Sequence, residues 1–276
     1  MSNYEFFKPQ TVKEASDLLK NDGYLALSGG TDMLVKIKNG FFKNLKAVVY
    51  IGGLPFKEIK KENDKVIIGS GCTMEEVATN PIIKENYPTL VEAANTVGAT
   101  QIRHMATIGG NVGNSSPAGD SIPALYSLDA QVVITNGTSQ RTVEIKDFFT
   151  GPGRNVLQAG ELIEAFVLPF RKTTGRFMKL GERSALAISK INLAVSAWED
   201  NKKHYRVALG SVAPTVLRSK KAEEILENAA HPLTEEAIQK ASEAARETAD
   251  PITDIRSTKA YRKQMAGVLL RKALEK

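Results

Sequence analysis

Two glycine-rich stretches, Ser28-Gly29-Gly30-Thr31-Asp32 and Thr107-Ile108-Gly109-Gly110-Asn111, bring together the residue types that a diphosphate requires. Adjacent glycines let main-chain N–H donors approach an anion with no Cβ in the way. Thr31 and Thr107 add hydroxyl donors and Asn111 an amide. The first stretch also opens a helix, whose free N-terminal N–H groups favour negative charge. The second leads into Ser115-Ser116-Pro117-Ala118-Gly119-Asp120. There Asp120 is either an acceptor for ribose or ribityl hydroxyls or a cap for the helix carrying Ile122-Pro123-Ala124-Leu125. A lone glycine pair commonly does no more than turn the chain, but two such loops with hydroxyl neighbours point to a bound dinucleotide.

Other chemistries lack their residues. Ile68-Gly69-Ser70-Gly71 begins a G-x-G-x-x-G fingerprint, yet Met74 stands at its third glycine, so Gly69 and Gly71 read as a strand-ending turn. There is no G-x-x-x-x-G-K-[ST] loop and no G-x-S-x-G elbow. His104, His204 and His231 lie far apart without metal-ligand spacing, so no metal site is expected. With no acid, base or nucleophile in evident array, the chemistry falls to a bound cofactor. The 37 Lys and Arg against 31 Asp and Glu give +6, but acids interrupt the basic clusters and no basic stripe alternates with aromatics. Nucleic-acid binding is therefore not expected. A single cysteine, Cys72, excludes an intrachain disulfide and any cluster ligated by several cysteines of this chain, which favours a reducing, cytoplasmic setting. No basic leader followed by an apolar run opens the sequence, and no stretch approaches the roughly 18 apolar residues of a membrane span.

The elements that position the loops follow from period and punctuation. A strand is expected over 4–7, then a helix over 11–21 started by a Thr11–Glu14 capping box and carrying Val12, Ala15, Leu18 and Leu19 on one face. A strand over 24–27 runs into the first glycine loop, and Leu34 and Ile37 mark the helix beyond it, capped by Thr31 or Asp32. Apolar, β-branched runs predict strands at 47–51 and 66–68, followed by helices at 73–78 and 89–96. Residues 100–120 break every period and read as a long functional loop. Strands follow at 131–135, 141–145 and 162–168. The polar run Arg171-Lys172-Thr173-Thr174-Gly175 marks an interdomain boundary. Beyond it a strand at 176–180, a helical or mixed segment at 188–198, a strand at 204–210 and helices at 219–228, 234–249 and 257–274 are expected. The last helix has Val268, Leu269, Leu270 and Leu274 as its core stripe.

At the glycine loops the chain resembles the FAD-binding subunits and domains of the molybdenum hydroxylases, which include xanthine dehydrogenase, nicotinate dehydrogenase, aerobic carbon monoxide dehydrogenase and 4-hydroxybenzoyl-CoA reductase. The likeness rests on Leu27-Ser28-Gly29-Gly30-Thr31-Asp32-Met33, on Gln101-Ile102-Arg103 leading to Ala106-Thr107-Ile108-Gly109-Gly110-Asn111, and on Ser116-Pro117-Ala118-Gly119-Asp120 with Pro123-Ala124-Leu125. It continues through Lys179-Leu180-Gly181-Glu182-Arg183, Leu209-Gly210-Ser211-Val212-Ala213-Pro214-Thr215 and Tyr261-Arg262, and so spans essentially the whole chain.

The resemblance implies an α+β protein. Its FAD-binding domain, residues 1–172, would have two subdomains of the vanillyl-alcohol-oxidase type, about 1–55 and 56–172. A small α+β C-terminal domain, 173–276, would hold a three-stranded sheet with helices. By position, the resemblance implies that Leu27, Ser28, Gly29, Gly30, Thr31, Asp32 and Met33, with Thr107, Ile108, Gly109, Gly110 and Asn111, would hold the FAD phosphates. By the same resemblance Ser116 and Asp120 would reach the sugar and ribityl hydroxyls, and Lys179 and Ile188 would come near the flavin. The resemblance further implies that molybdopterin and two-iron two-sulfur clusters would belong to partner subunits of a heterotrimer, a molybdenum large subunit and an iron-sulfur small subunit, with NAD or another acceptor taking the electrons. Two departures stand out: Ser28 replaces the commoner Ala, and Ala187 stands where relatives often carry Asp. The iron-sulfur insertion of the 4-hydroxybenzoyl-CoA reductase branch cannot be ligated by one cysteine. A stand-alone flavin oxidase or reductase is the alternative activity, and a scaffold that has lost its flavin the non-enzymatic one.

Overall fold

The computed structural model describes residues 4–275. Strands Glu5–Phe7, Tyr24–Leu27 and Ala47–Tyr50 form a parallel three-stranded sheet with Ala47–Tyr50 at its centre. Ala47, Val48 and Val49 are buried, which is why that strand reads as a continuous apolar run rather than an alternation. Helix Val12–Leu19 joins the two outer strands, and the crossover between the paired strands Tyr24–Leu27 and Ala47–Tyr50 carries helix Met33–Lys38. Thr11 caps Val12–Leu19 by accepting from the Glu14 N–H, but the Glu14 carboxylate reaches back to the N–H of Gln10 rather than of Thr11. The capping box is thus opened by one residue.

The second layer is an antiparallel five-stranded sheet in the order Ile59–Glu62, Lys65–Gly69, Leu162–Pro169, Gln131–Thr135, Gln140–Glu144. Helices Met74–Thr79, Pro81–Asn86, Pro88–Asn95 and Ser121–Ser127 cover it around a core that includes Ile68, Leu90, Leu125, Phe148 and Phe166. The first of these starts at a complete capping box, with Thr73 and Glu76 satisfying each other's N–H. Residues 100–120, expected as one long loop, contain two short helices, Thr100–Met105 and Ile108–Gly113. One of the glycines that argue against a helix, Gly109, answers a tertiary contact: a Cβ there would stand 2.5 Å from the Cβ of Ser70. Thr107 caps the turn, accepting from the Gly110 N–H at 3.0 Å.

Cys72 lies in this core at 1% exposure, and burial, reinforced by the nearby Glu76 carboxylate, pushes its thiol up to about 12. A buried, protonated thiol is a poor nucleophile. Native protein should therefore resist a thiol reagent at neutral pH and become fully labelled once denatured, as absorbance of the released reagent would report.

The C-terminal part is an antiparallel sheet of three long strands, Thr174–Leu180, Ile191–Glu199 and Lys203–Gly210, to which the two-residue strand Leu217–Arg218 adds a fourth. Helices Lys220–Glu227, Glu235–Thr248 and Lys259–Leu274 pack on one face. The segment 188–198, expected as helical or mixed, is strand from Ile191, as part of Ile191–Glu199. Ile191, Leu193 and Val195 face those helices, while Ala194 joins the core of the N-terminal part, so both faces are buried and the two-residue period disappears from the sequence. In the last helix Ala266, Leu269, Leu270 and Ala273 form the buried stripe, not Val268.

The polar run at 171–175 is not a free linker. Thr173 is buried and donates to the Asn86 carbonyl at 2.6 Å, and Thr174 already begins a strand. Arg171 stacks 3.4 Å from the Trp198 ring and binds Asp129 at 2.9 Å. Arg206 and Arg218, from the C-terminal sheet, converge on the same carboxylate. Burial works to raise the Asp129 carboxyl, but Arg171, Arg218 and Arg206 together hold it below its ordinary range. A depressed folded-state pKa contributes stability above the unfolded value of about 3.9 and loses it as pH falls through the folded one. Asp129→Asn should therefore lower stability at neutral pH by about 2 to 3 kcal/mol, discounted for partial exposure. The deficit should shrink as denaturation is repeated at falling pH below about 4.

Candidate functional site

A cavity of about 360 Å³ opens between the parallel sheet and the five-stranded layer, within the range of small-molecule sites. Its inner wall is apolar, with Leu25, Leu27, Ile51 and Leu162, and its polar side is made by the two glycine stretches. Leu27, Ser28, Gly29, Gly30, Thr31, Asp32 and Met33 all line it, as do Thr107, Gly109, Gly110 and Asn111. The two stretches touch where Thr107 Oγ1 donates to Ser28 Oγ at 3.1 Å.

The loops contribute differently. Tyr24–Leu27 ends at the first, and beyond it the chain must turn sharply: Gly30 takes φ +72°, a left-handed conformation that side chains disfavour. Gly29 passes so close to the end of helix Thr100–Met105 that a Cβ would overlap the Met105 carbonyl. Among the described residues, no acceptor engages the main-chain N–H of Ser28, Gly29, Gly30, Thr31, Asp32 or Met33. Consecutive unpaired amides beside a cavity are an anion cradle. The second stretch has no such row: among the described residues only its Thr107 N–H lacks an acceptor, because Ile108 donates to Cys72, Gly109 to Ser70, Gly110 to Thr107 Oγ1 and Asn111 to the Thr107 carbonyl. It offers side chains instead. Asn111 Oδ1 accepts from Ser121 at 2.7 Å, which turns its amide nitrogen into the donor left for a ligand.

The remaining expected residues lie elsewhere. Ile108 is fully buried in the core. Ser116 borders a small recess against Pro214 and Thr215 of the C-terminal part, and Ile188 is 63% exposed. Asp120 stands at the start of Ser121–Ser127 without capping it. Its carboxylate, 8% exposed, accepts from Lys179 at 2.5 Å, Ser189 at 2.7 Å and Asn192 at 2.9 Å, so its side-chain partners are all across the interdomain boundary.

Sequence reasoning missed Lys36, Asn114, Ser70 and Glu161 in the cavity lining. Lys36 left one trace, its i+4 position from Asp32, where the two pair at 2.6 Å. The others arrive through long-range packing and leave none. Glu161 is held by Arg141 at 2.6 and 2.7 Å and by the Gln158 N–H, which together keep its carboxyl below the ordinary range in spite of burial.

Open amides, a left-handed glycine and an apolar inner wall fit the diphosphate and ring of a flavin dinucleotide, and they define the class of a flavin-binding oxidoreductase component. The chain belongs to the FAD-binding medium-subunit family of the molybdenum hydroxylases. The family described as FAD binding domain in molybdopterin dehydrogenase matches residues 2–171, and the CO dehydrogenase flavoprotein C-terminal domain matches 176–276. The nicotinate dehydrogenase FAD-subunit of Eubacterium barkeri is 33% identical, covering 96% of this chain and 92% of that one. The carbon monoxide dehydrogenase medium chain of Hydrogenophaga pseudoflava is 30% identical, covering 98% and 96%. A solved structure of carbon monoxide dehydrogenase from that organism, lacking the Mo-pyranopterin moiety, superposes with TM-score 0.93 at 29% identity over 99% of this chain and 96% of that one. No helix of the described residues is long and apolar enough to cross a membrane.

Proposed function

We propose that this chain is the electron-transfer subunit of a multi-subunit molybdenum hydroxylase, taking electrons from iron-sulfur clusters of a small partner subunit and passing them to NAD or another acceptor. Substrate would be oxidised at molybdenum in a large partner subunit. The names of relatives, a FAD-subunit and a medium chain, support such an assembly. FAD, when bound, supplies the redox chemistry between two-electron and one-electron carriers. The chain's own residues bind and orient. The amides of residues 28–33, with Thr107 and Asn111, would hold the diphosphate, and Ser116, Asp120, Lys179 and Ile188, on the interdomain side, would face the sugar, ribityl and flavin end.

The observation that carries the reading is the row of unpaired amides from Ser28 to Met33. A stand-alone oxidase or reductase would need an acid or base of its own at the cavity. The two carboxylates there, Asp32 and Glu161, are tied to Lys36 and Arg141. The test is reconstitution of flavin-free chain with FAD, followed by copurification from the native source. Bound flavin together with iron-sulfur and molybdenum partners supports the proposal. A chain that stays colourless defeats it, and turnover of a substrate by the chain alone would establish the stand-alone activity instead.

A further inference from the structure

We propose that Lys36 is the counter-charge for the cofactor's diphosphate, and that the Asp32 carboxylate positions Lys36 rather than binding the cofactor itself. This rests on the FAD reading above. Lys36 is the cation of the cavity lining, against two acids, Asp32 and Glu161. Glu161 is neutralised from behind by Arg141. Two negative charges of a diphosphate thus meet neutral amides and one ammonium. A bare Asp32 carboxylate among them would repel the ligand.

The geometry gives that carboxylate a different task. Lys36 Nζ donates to Asp32 Oδ2 at 2.6 Å and to Asn114 Oδ1 at 2.6 Å. An ammonium has three donors, and among the described residues the third has no acceptor. Asp32 belongs to the first glycine loop and Asn114 ends the short helix Ile108–Gly113 that contains the second, so Lys36 links both from the cavity's edge. Its side chain keeps 33% exposure, enough for the free donor to meet a ligand entering from solvent. Two fixed acceptors on a long, flexible stem remove the rotamer freedom that weakens most lysine–anion contacts.

The test is titration of flavin-free full-length chain with FAD, and separately with ADP, across a series of salt concentrations. Lys36→Met should weaken both ligands about 10- to 100-fold, the loss of one charge-assisted hydrogen bond, and should flatten the salt dependence. Lys36→Arg should restore most of the affinity; Asp32→Asn, whose amide oxygen can still accept from Lys36, should leave it within a few-fold of the parent, whereas Asp32→Ala should weaken binding, and no further in the Lys36→Met background. Unchanged FAD affinity in Lys36→Met overturns the proposal. So does weakened affinity with the parent's salt dependence, which would make Lys36 a clasp between the loops only. A collapse of binding in Asp32→Asn would return the direct role to Asp32. Parent chain that binds no FAD would defeat the cofactor reading itself, an outcome distinct from all of these.

Discussion

Replacing Gly29 with alanine is expected to lower FAD affinity about 100-fold or more and to cost about 1 to 3 kcal/mol of stability, as other overpacked sites do. The added Cβ would overlap the main-chain carbonyl of Met105 and come within 3.2 Å of the Ala106 Cα. Backbone cannot swing aside as the end of a side chain can, so the loop must retreat. Its row of unpaired amides retreats with it, from the place where the anion would sit. Gly110→Val is the useful contrast, because a Cβ there meets only Thr107 Oγ1, at 2.9 Å. That variant should lose flavin while melting close to the parent. Visible absorbance of bound flavin and the thermal midpoint, read on both variants, separate blocked binding from a displaced loop. Normal flavin content in Gly29→Ala would mean that the amides of this loop do not hold the cofactor.

Asp120→Ala should be the most destabilising single change at the domain boundary, at about 3 to 5 kcal/mol. Reading the sequence alone suggests a smaller effect, confined to binding, since a ribityl contact would involve only one or two hydrogen bonds. The structure ties the carboxylate to Lys179, Ser189 and Asn192 at 7% residue exposure. Removing it strands an ammonium that is 13% exposed and keeps only the Thr96 carbonyl as partner. An unpaired buried charge costs far more than the pair contributes. Asp120→Ala combined with Lys179→Met should accordingly be more stable than Asp120→Ala alone, as urea midpoints would show. Equal midpoints would mean that Lys179 finds water when its partner is lost.

Much of the architecture was legible because it is locally encoded. The strand Tyr24–Leu27 ends at its glycine turn as expected, and the helices expected from 73, 234 and 257 start one or two residues past those positions, each capped by a threonine, Thr73, Thr234 or Thr258. The failures have one physical origin. The strand from Ile191 was unreadable because burial on both faces removes the alternation that marks a strand, and residues 100–120 because glycines, one of them, Gly109, demanded by its neighbour Ser70, mask short helices. The boundary at 171–175 looked like a linker because its polar residues find partners, Asn86, Asp129 and Trp198, that are distant in the chain.

By itself, then, the sequence determined the family, the two glycine stretches and the class of ligand they suit, since these depend on residue type and short spacing. Only the tertiary structure decided which stretch has free amides, where Asp120 directs its charge and that Lys36 enters the cavity. Each of those turns on which donor is already occupied by a partner far away in the chain, and hydrogen-bond occupancy is a property of the folded whole.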